Sequence, residues 1–177
     1  MVRTLPDDYE GDKEAESLIK IVNDIKALGN GYFSKGEYKQ AYAKYSKAIN
    51  YLNERPVFMD EDTEELKQQW IAAKLPCYLN RAAAALKLED YRRAATDSTV
   101  VIETEGASDK DRTKAYFRRG TAQNHLKAYE EAIADLSEAR RLSATEDAGI
   151  LRELQLAQKR LAARKEKERQ AYSKMFG

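Results

Sequence analysis

Five polar residues of this 177-residue chain have the types and spacing needed to hold an anion. Lys26 and Asn30 are four residues apart and share one face of a helix. Lys114 and Arg118 have the same spacing, and Asn80 lies between the two pairs in the sequence. All five side chains donate hydrogen bonds, and three of them are cations. No acid occupies an equivalent position in these helices, so these residues, called here the five donor residues, predict a positive patch without a counter-charge.

The patch suits a compact ligand with two negative charges. A peptide that ends in aspartate has such an end, because its main-chain and side-chain carboxylates lie close together. Lysine supplies a point charge, arginine can bind a carboxylate with two parallel hydrogen bonds, and an asparagine amide donates without adding repulsion. Charge-assisted hydrogen bonds contribute about 1.5–3 kcal/mol each. Three or four of them, less the cost of ordering the peptide, predict a binding free energy of about −8 kcal/mol, near micromolar affinity.

The composition excludes several other classes of function. Lys and Arg number 31 against 30 Asp and Glu, so no bulk charge draws the chain to nucleic acid or membrane lipid. The single Cys77 excludes an internal disulfide framework, and the single His125 has no partners for a triad or metal cluster. No apolar run approaches the ~20 residues that span a bilayer, and no signal-peptide pattern follows Met1. We therefore expect a cytoplasmic helical domain without catalytic residues, metal or cofactor.

An internal repeat defines the elements that must position the five donor residues. A small residue is followed nine positions later by Tyr and twelve positions later by Ala. This pattern occurs three times, at Gly29, Tyr38 and Ala41, at Ala82, Tyr91 and Ala94, and at Gly120, Tyr129 and Ala132. Each unit is interpreted as two helices, because the small residues allow close approach while Tyr and Ala fill the seam.

The pattern resembles the tetratricopeptide repeat (TPR), a helix–turn–helix unit of 34 residues. The resemblance implies an all-α right-handed superhelix of three repeats, at about 22–55, 75–108 and 113–146, within a domain spanning 18–146. The repeat tyrosines are 53 and 38 residues apart, so the two junctions carry insertions of 19 and 4 residues. For the first insertion, mostly 54–70, we expect a lengthened second helix, a loop and a lengthened first helix of repeat two.

The two ends of the chain depart from the repeat. Residues 1–17 are expected to be an acidic linker, to which a longer protein would be joined on the N-terminal side. At the other end, Ser143-x-x-Glu146 predicts a capping box that opens a further helix. Its apolar stripe consists of Ile150, Leu154, Ala157 and Leu161. Residues 147–177 are therefore assigned to a capping helix over the end of the array and a basic tail that projects into solvent.

The five donor residues match the carboxylate clamp of TPR co-chaperones position for position. The wider chain, about 18–177, resembles the TPR half of the large TPR-bearing cyclophilins. The stretches that carry this resemblance are Lys26-Ala-Leu-Gly-Asn30, Cys77-Tyr-Leu-Asn-Arg81, Lys114-Ala-Tyr-Phe-Arg-Arg119 and Ala171-Tyr-Ser-Lys-Met-Phe-Gly177. The resemblance implies binding to the C-terminal Glu-Glu-Val-Asp of the ninety-kilodalton heat-shock chaperone, with the seventy-kilodalton chaperone as a second candidate. In that family a prolyl isomerase domain precedes the repeats, so any isomerase activity would belong to a part outside this chain.

Three further residues are candidates for a peptide pocket. Phe33 follows Asn30 by three residues and either forms an apolar pocket for the penultimate valine or packs in the core. Ala83 and Lys87 follow Asn80 on roughly one face. Ala83 would leave room for the peptide backbone, and Lys87 would meet an upstream glutamate unless it is an ordinary surface lysine. Packing roles alone are expected for Trp70, for Cys77 in the core and for a partly buried His125.

Other interpretations remain open at this point. Asn80 could be a structural amide that bonds a neighbouring helix. The groove could instead accept an internal helix or a second copy of the chain, without any recognition of a carboxylate. The basic tail could bind a calmodulin-like protein, a membrane surface or an acidic surface of the same chaperone. Catalysis by this chain and nucleic-acid binding are the weakest alternatives, because no strand-rich segment and no interleaved stacking aromatics are present.

Overall fold

A computed structural model of the chain describes residues 15–53 and 63–176. Within these ranges the chain forms helices and no strand. The helices are α1 (Ala15–Ser34), α2 (Tyr38–Asn53), α3 (Glu64–Lys87), α4 (Tyr91–Glu103), α5 (Asp109–His125), α6 (Tyr129–Leu142) and α7 (Ala148–Phe176). None of the helices in the described ranges combines the length and apolar character that crossing a bilayer requires. The predicted all-α fold, with three helical pairs and a terminal helix, is confirmed.

The helices form two rows. Each helix contacts the next one along the chain, and the first helices of the pairs also contact one another, α1 with α3, α3 with α5 and α5 with α7. The small residues of the repeat make the close contacts within pairs. At Gly120 an added Cβ would lie 2.7 Å from Leu136 Cγ, which leaves no room for a side chain. The α1–α3–α5 row is thus the surface on which the predicted donor residues must lie.

The first helix begins earlier than predicted. The acidic linker was expected to extend to residue 17, but α1 begins at Ala15, and the rest of the predicted linker lies outside the described residues. The reason is an apolar stripe at helical spacing, Leu18, Ile21, Val22 and Ile25, whose members are at most 7% exposed. Burial of this stripe stabilises the helix back into the acidic segment.

The insertion between the first two pairs lengthens the helices on both sides, as predicted. The second helix α2 has 16 residues against 13 in α4, and the first helix α3 has 24 against 17 in α5. Thr63 caps α3 by accepting a hydrogen bond from the Leu66 N–H at 3.2 Å. Trp70 is 6% exposed in the main core, which confirms its packing role. The predicted loop lies outside the described residues.

The predicted capping box at Ser143 is wrong. Asp147 caps α7 instead, because its Oδ1 accepts hydrogen bonds from the backbone N–H groups of Gly149 at 2.7 Å and Ile150 at 3.1 Å. Ser143 follows the last residue of α6, and its hydroxyl donates to the Thr145 carbonyl at 2.6 Å. The serine therefore belongs to the turn that ends α6, and the next helix starts only after that turn.

The terminal helix α7 covers repeat three with the predicted stripe. Ile150, Leu154 and Ala157 are buried, and Leu161 is partly buried. The basic segment that follows is exposed from residue 165 to residue 175. Two of its arginines pack on the array instead of projecting: Arg160 donates to Asn124 Oδ1 at 3.1 Å, and Arg164 binds Glu130 at 2.5 and 2.7 Å.

Candidate functional site

Two of the donor residues from different repeats are in direct contact. Asn80 Nδ2 on α3 donates a hydrogen bond to Asn30 Oδ1 on α1 at 3.0 Å. The hydroxyl of Tyr45 on α2 donates to the same oxygen at 2.8 Å. Because both lone pairs of Asn30 Oδ1 are engaged, the Asn30 Nδ2 group remains as a donor. The expectation that Asn80 could bond a neighbouring helix is also met, since it does so through Asn30.

Arg118 on α5 reaches the same place from the third repeat. Its Nη1 donates to the backbone carbonyl of Leu79 at 2.7 Å, next to Asn80 in the chain. Burial lowers the pKa of Arg118 to about 10, and the nearby Tyr45 counters this only in part. No carboxylate of the described residues forms an ion pair with this guanidinium. The remaining N–H groups of Arg118 are therefore available to an external anion.

The two lysines lie one helical turn before their partners, about 6 Å along the axis. Lys26 is partly buried on α1, and its Nζ donates to Asn23 Oδ1 at 2.7 Å. Its charge also acts across to α3, where it opposes the rise in the pKa of Cys77. Lys114 on α5 is exposed. Neither lysine forms an ion pair with an acid in the described part of the chain, so no acid there neutralises either charge.

Two other arginines, both partly buried, have guanidinium groups that are paired with a carboxylate. Arg119 donates to both oxygens of Asp135 at 2.7 and 2.8 Å, and Arg81 binds both oxygens of Asp97 at 2.8 Å. The hydrogen bond and charge of Asp135 raise the pKa of Arg119. For Arg81, burial lowers the pKa, but Asp97 outweighs it and the net change is a rise. Arg118 shifts in the opposite direction because it lacks such a partner.

These two pairs were not predicted from the sequence. Each joins the two helices of one repeat, and each arginine also reaches the preceding repeat, Arg81 to Ser46 at 3.2 Å and Arg119 to Thr99 at 3.0 Å. Their spacing was a usable signal, since Arg and Asp are separated by 16 residues in both cases. The pairs thus fix the stacking of consecutive repeats and, with it, the relative positions of the five donor residues.

The three candidate pocket residues occupy different settings. Phe33 is partly buried near the turn between α1 and α2, where its ring meets Tyr38 edge-on at 5.1 Å. Ala83 is partly buried on α3, one turn after Asn80, and Lys87 is exposed at the end of the same helix. The contact with Tyr38 gives Phe33 a packing role within repeat one, while its remaining exposed surface stays available.

Cys77 and His125 have packing roles and are not among the donor residues. Cys77 is fully buried, its Sγ lies 3.2 Å from the Ala73 carbonyl, and burial raises its pKa to about 11. The expected core role of Cys77 is confirmed. His125 was expected to be partly buried, but it is exposed at the end of α5, where its ring stacks on Tyr91 at 4.3 Å. The difference arises because the helix ends there and the ring covers a neighbouring tyrosine from outside.

The arrangement presents several hydrogen-bond donors that suit an anion. Asn80 bonds Asn30, and Arg118 bonds the Leu79 carbonyl beside Asn80. Lys26 and Lys114 lie one helical turn earlier on α1 and α5. A carboxylate accepts hydrogen bonds at four positions, so it can use several of these groups at once.

Similarities to known proteins are consistent with this geometry. No family model matches the chain. The peptidyl-prolyl cis-trans isomerase CYP7 of Saccharomyces cerevisiae is 32% identical over 173 residues, which are 97% of this chain and 44% of that protein. The chain thus spans less than half the length of this curated relative.

Two solved structures are similar over most of the chain. The C-terminal TPR-containing domain of an FK506-binding protein of Plasmodium falciparum superposes with a TM-score of 0.77 at 24% identity, covering 86% of this chain and 96% of that one, and shows the shared fold. The myosin chaperone UNC-45 of C. elegans, solved in complex with a Hsp90 peptide, superposes with a TM-score of 0.63 at 32% identity, covering 86% of this chain and 14% of that one.

The helical pairs, their small-residue contacts and the similarities define a tetratricopeptide-repeat domain. More narrowly, it is similar over 97% of its length to part of the isomerase CYP7, and it shares the fold of the TPR domain of an FK506-binding protein.

Proposed function

We propose that this chain is a co-chaperone adaptor that binds the C-terminal Glu-Glu-Val-Asp of the ninety-kilodalton heat-shock chaperone through the five donor residues. The observation that carries the proposal is the partly buried guanidinium of Arg118, which has no carboxylate partner among the described residues and adjoins the Asn30–Asn80 pair. A buried cation without a counter-charge is costly to the fold. An external carboxylate at this position would offset that cost in the complex.

The ligand is proposed to enter with its terminal aspartate at the centre of the site. One carboxylate would bind Arg118 and the free Asn30 amide, and the other would bind Asn80 and a flanking lysine. The repeats are proposed to span 18–146 and to recruit whatever is joined to them. The solved complex of UNC-45 with a Hsp90 peptide supports this class of partner. The similarity to a yeast isomerase, of which this chain matches 44%, supports a longer parent protein with a prolyl isomerase domain. The N-terminal position of that domain and a cytoplasmic location are further parts of the proposal.

The proposal is tested by single substitutions measured by calorimetry with the peptide Met-Glu-Glu-Val-Asp. Lys114→Ala and Arg118→Ala should each weaken binding by about 10- to 100-fold, the equivalent of one charge-assisted hydrogen bond. Lys39→Ala removes an exposed cation from α2, outside the α1–α3–α5 row, and serves as the control. Its affinity should stay within about twofold of the wild type.

Equal losses in all three variants would indicate general charge attraction and would contradict the clamp. Unchanged binding in Lys114→Ala and Arg118→Ala would favour the alternative, a groove that holds an internal helix or a second copy of the chain. Sedimentation over a range of protein concentrations separates these two, since self-association makes the apparent mass rise with concentration.

A further inference from the structure

Asn30 can donate to a ligand only if its amide is held in one orientation. An asparagine side chain can rotate by half a turn and exchange its oxygen with its nitrogen. Asn30 is exposed, so burial does not fix its orientation. The hydrogen bonds to Oδ1 from the Tyr45 hydroxyl at 2.8 Å and from Asn80 at 3.0 Å therefore decide which end faces the ligand.

We propose that Tyr45 is a positioning residue whose hydroxyl fixes the Asn30 amide, so that Nδ2 points to the bound carboxylate. This inference rests on the function proposed above and adds a residue that does not itself touch the peptide. Tyr45 lies on α2, outside the α1–α3–α5 row, and is 1% exposed. Its ring reaches through the repeat to the binding surface and delivers only its hydroxyl there.

The path of the tyrosine ring is made by Gly29. An added Cβ at Gly29 would lie 2.6 Å from Tyr45 Cε1 and 2.8 Å from Cδ1. The absence of a side chain at this position lets the ring pass directly beneath α1. Gly29 also precedes Asn30 in the chain, so the residue that admits the ring adjoins the residue that the hydroxyl holds.

The other repeats lack both partners. The positions equivalent to Tyr45 are Ser98 and Leu136, seven residues after the repeat tyrosines. Ser98 donates to its own helix at the Ala94 carbonyl, and Leu136 packs against Gly120. The residues equivalent to Asn30 are Ala83 and Thr121. At these two positions, asparagine and tyrosine thus occur together in repeat one and in neither of the other repeats.

The charge of Arg118 supports the direction of this hydrogen bond. The interaction of Arg118 with Tyr45 favours negative charge on the tyrosine oxygen. A nearby cation attracts the lone pairs of that oxygen, which leaves the O–H proton directed at Asn30. Burial keeps the hydroxyl protonated, because it raises the pKa of Tyr45 to about 12. The hydroxyl is therefore a donor throughout the range in which the peptide is ionised.

The test is a double-mutant cycle with Tyr45→Phe and Asn30→Ala, measured by calorimetry with the free-acid peptide Met-Glu-Glu-Val-Asp and its C-terminal amide. Tyr45→Phe keeps the buried ring and removes only the hydroxyl. It should weaken binding of the free acid by roughly 3- to 10-fold, the range of one hydrogen bond, and reduce the preference for acid over amide by the same factor. In the Asn30→Ala background the same change should have no further effect on affinity.

Two outcomes overturn the inference alone. The first applies when the wild type prefers the free acid over the amide. It is the finding that Tyr45→Phe binds the free acid as tightly as the wild type does. The other is an equal loss in the presence and absence of Asn30, which would mean that the hydroxyl acts through the general packing of repeat one. If the wild type does not distinguish acid from amide, the proposed function fails and the inference falls with it.

Discussion

Arg118 and Arg119 follow one another in α5 but face opposite electrostatic situations. Arg119 binds both oxygens of Asp135, whereas Arg118 donates to the Leu79 carbonyl and has no acid partner in the described ranges. Their pKa values shift in opposite directions for this reason. One arginine holds the repeat together, and its neighbour is the residue proposed to bind a ligand.

This difference predicts opposite effects of the same substitution on stability. Arg119→Met leaves Asp135 buried without its cation and should cost about 3 kcal/mol of the free energy of unfolding. Arg118→Met removes a partly buried charge that has no acid partner among the described residues, and it should leave stability unchanged or raise it by up to about 2 kcal/mol. Urea unfolding followed by circular dichroism measures both. Comparable destabilisation by the two substitutions would show that Arg118 is also a structural residue.

Two glycines of α1 predict a second contrast. Gly29→Ala would force a Cβ to 2.6 Å from the Tyr45 ring and should destabilise the domain by about 1–3 kcal/mol. Gly31 is exposed with no atom within 4 Å of an added Cβ. Gly31→Ala should stabilise the domain by about 0.5–1 kcal/mol, because alanine favours the helix. Thermal unfolding of both variants measures the two changes in stability. A Gly29→Ala protein as stable as the wild type would contradict the close approach of the Tyr45 ring to α1.

The start of α7 yields a third prediction. Asp147→Ala removes the acceptor for two backbone N–H groups and should cost about 1 kcal/mol. Ser143→Ala removes only a turn hydrogen bond and should change stability by less than about 0.5 kcal/mol. Chemical denaturation of the two alanine variants gives the comparison. A larger loss of stability in Ser143→Ala than in Asp147→Ala would contradict this assignment and support Ser143 as the cap.

Cys77 reports on opening of the core. Its side chain is fully buried and its pKa is raised to about 11, so little thiolate exists at pH 8. Because the thiolate is the reactive form, a disulfide reagent should react at least about 100-fold more slowly with the native protein than with the unfolded chain. The reaction is followed by the absorbance of the released thiol. Rapid labelling of the native protein would mean that α3 opens readily.

Sequence was sufficient for the helical pairs and for the helix that covers their end. The repeat of a small residue, Tyr and Ala defines the pairs, and spacing by four places Lys26 with Asn30 on one face. The apolar stripe of Ile150, Leu154 and Ala157 likewise predicted a covering helix correctly. These predictions succeed because helical periodicity is a property of neighbouring residues.

Features that depend on contacts between distant residues were not predicted. The Tyr45 hydroxyl reaches Asn30 Oδ1 only because α1 and α2 approach closely at Gly29. The second donor to that oxygen, Asn80, comes from α3. The burial of His125 was predicted wrongly, because the periodicity of α5 does not reveal which way the side chain of the last helical residue points. Ser143 matched a capping pattern, but it lies in the turn that ends α6, and Asp147 caps α7 instead.

The most direct measurement of the central claim is the affinity of the wild-type chain for Met-Glu-Glu-Val-Asp with a free C-terminus and with a C-terminal amide, compared by calorimetry in one buffer. The five donor residues predict a dissociation constant of about 1–10 μM for the free acid and at least about tenfold weaker binding of the amide. Equal affinity for the two peptides would contradict the account, because the site would then hold its partner without reading the terminal carboxylate.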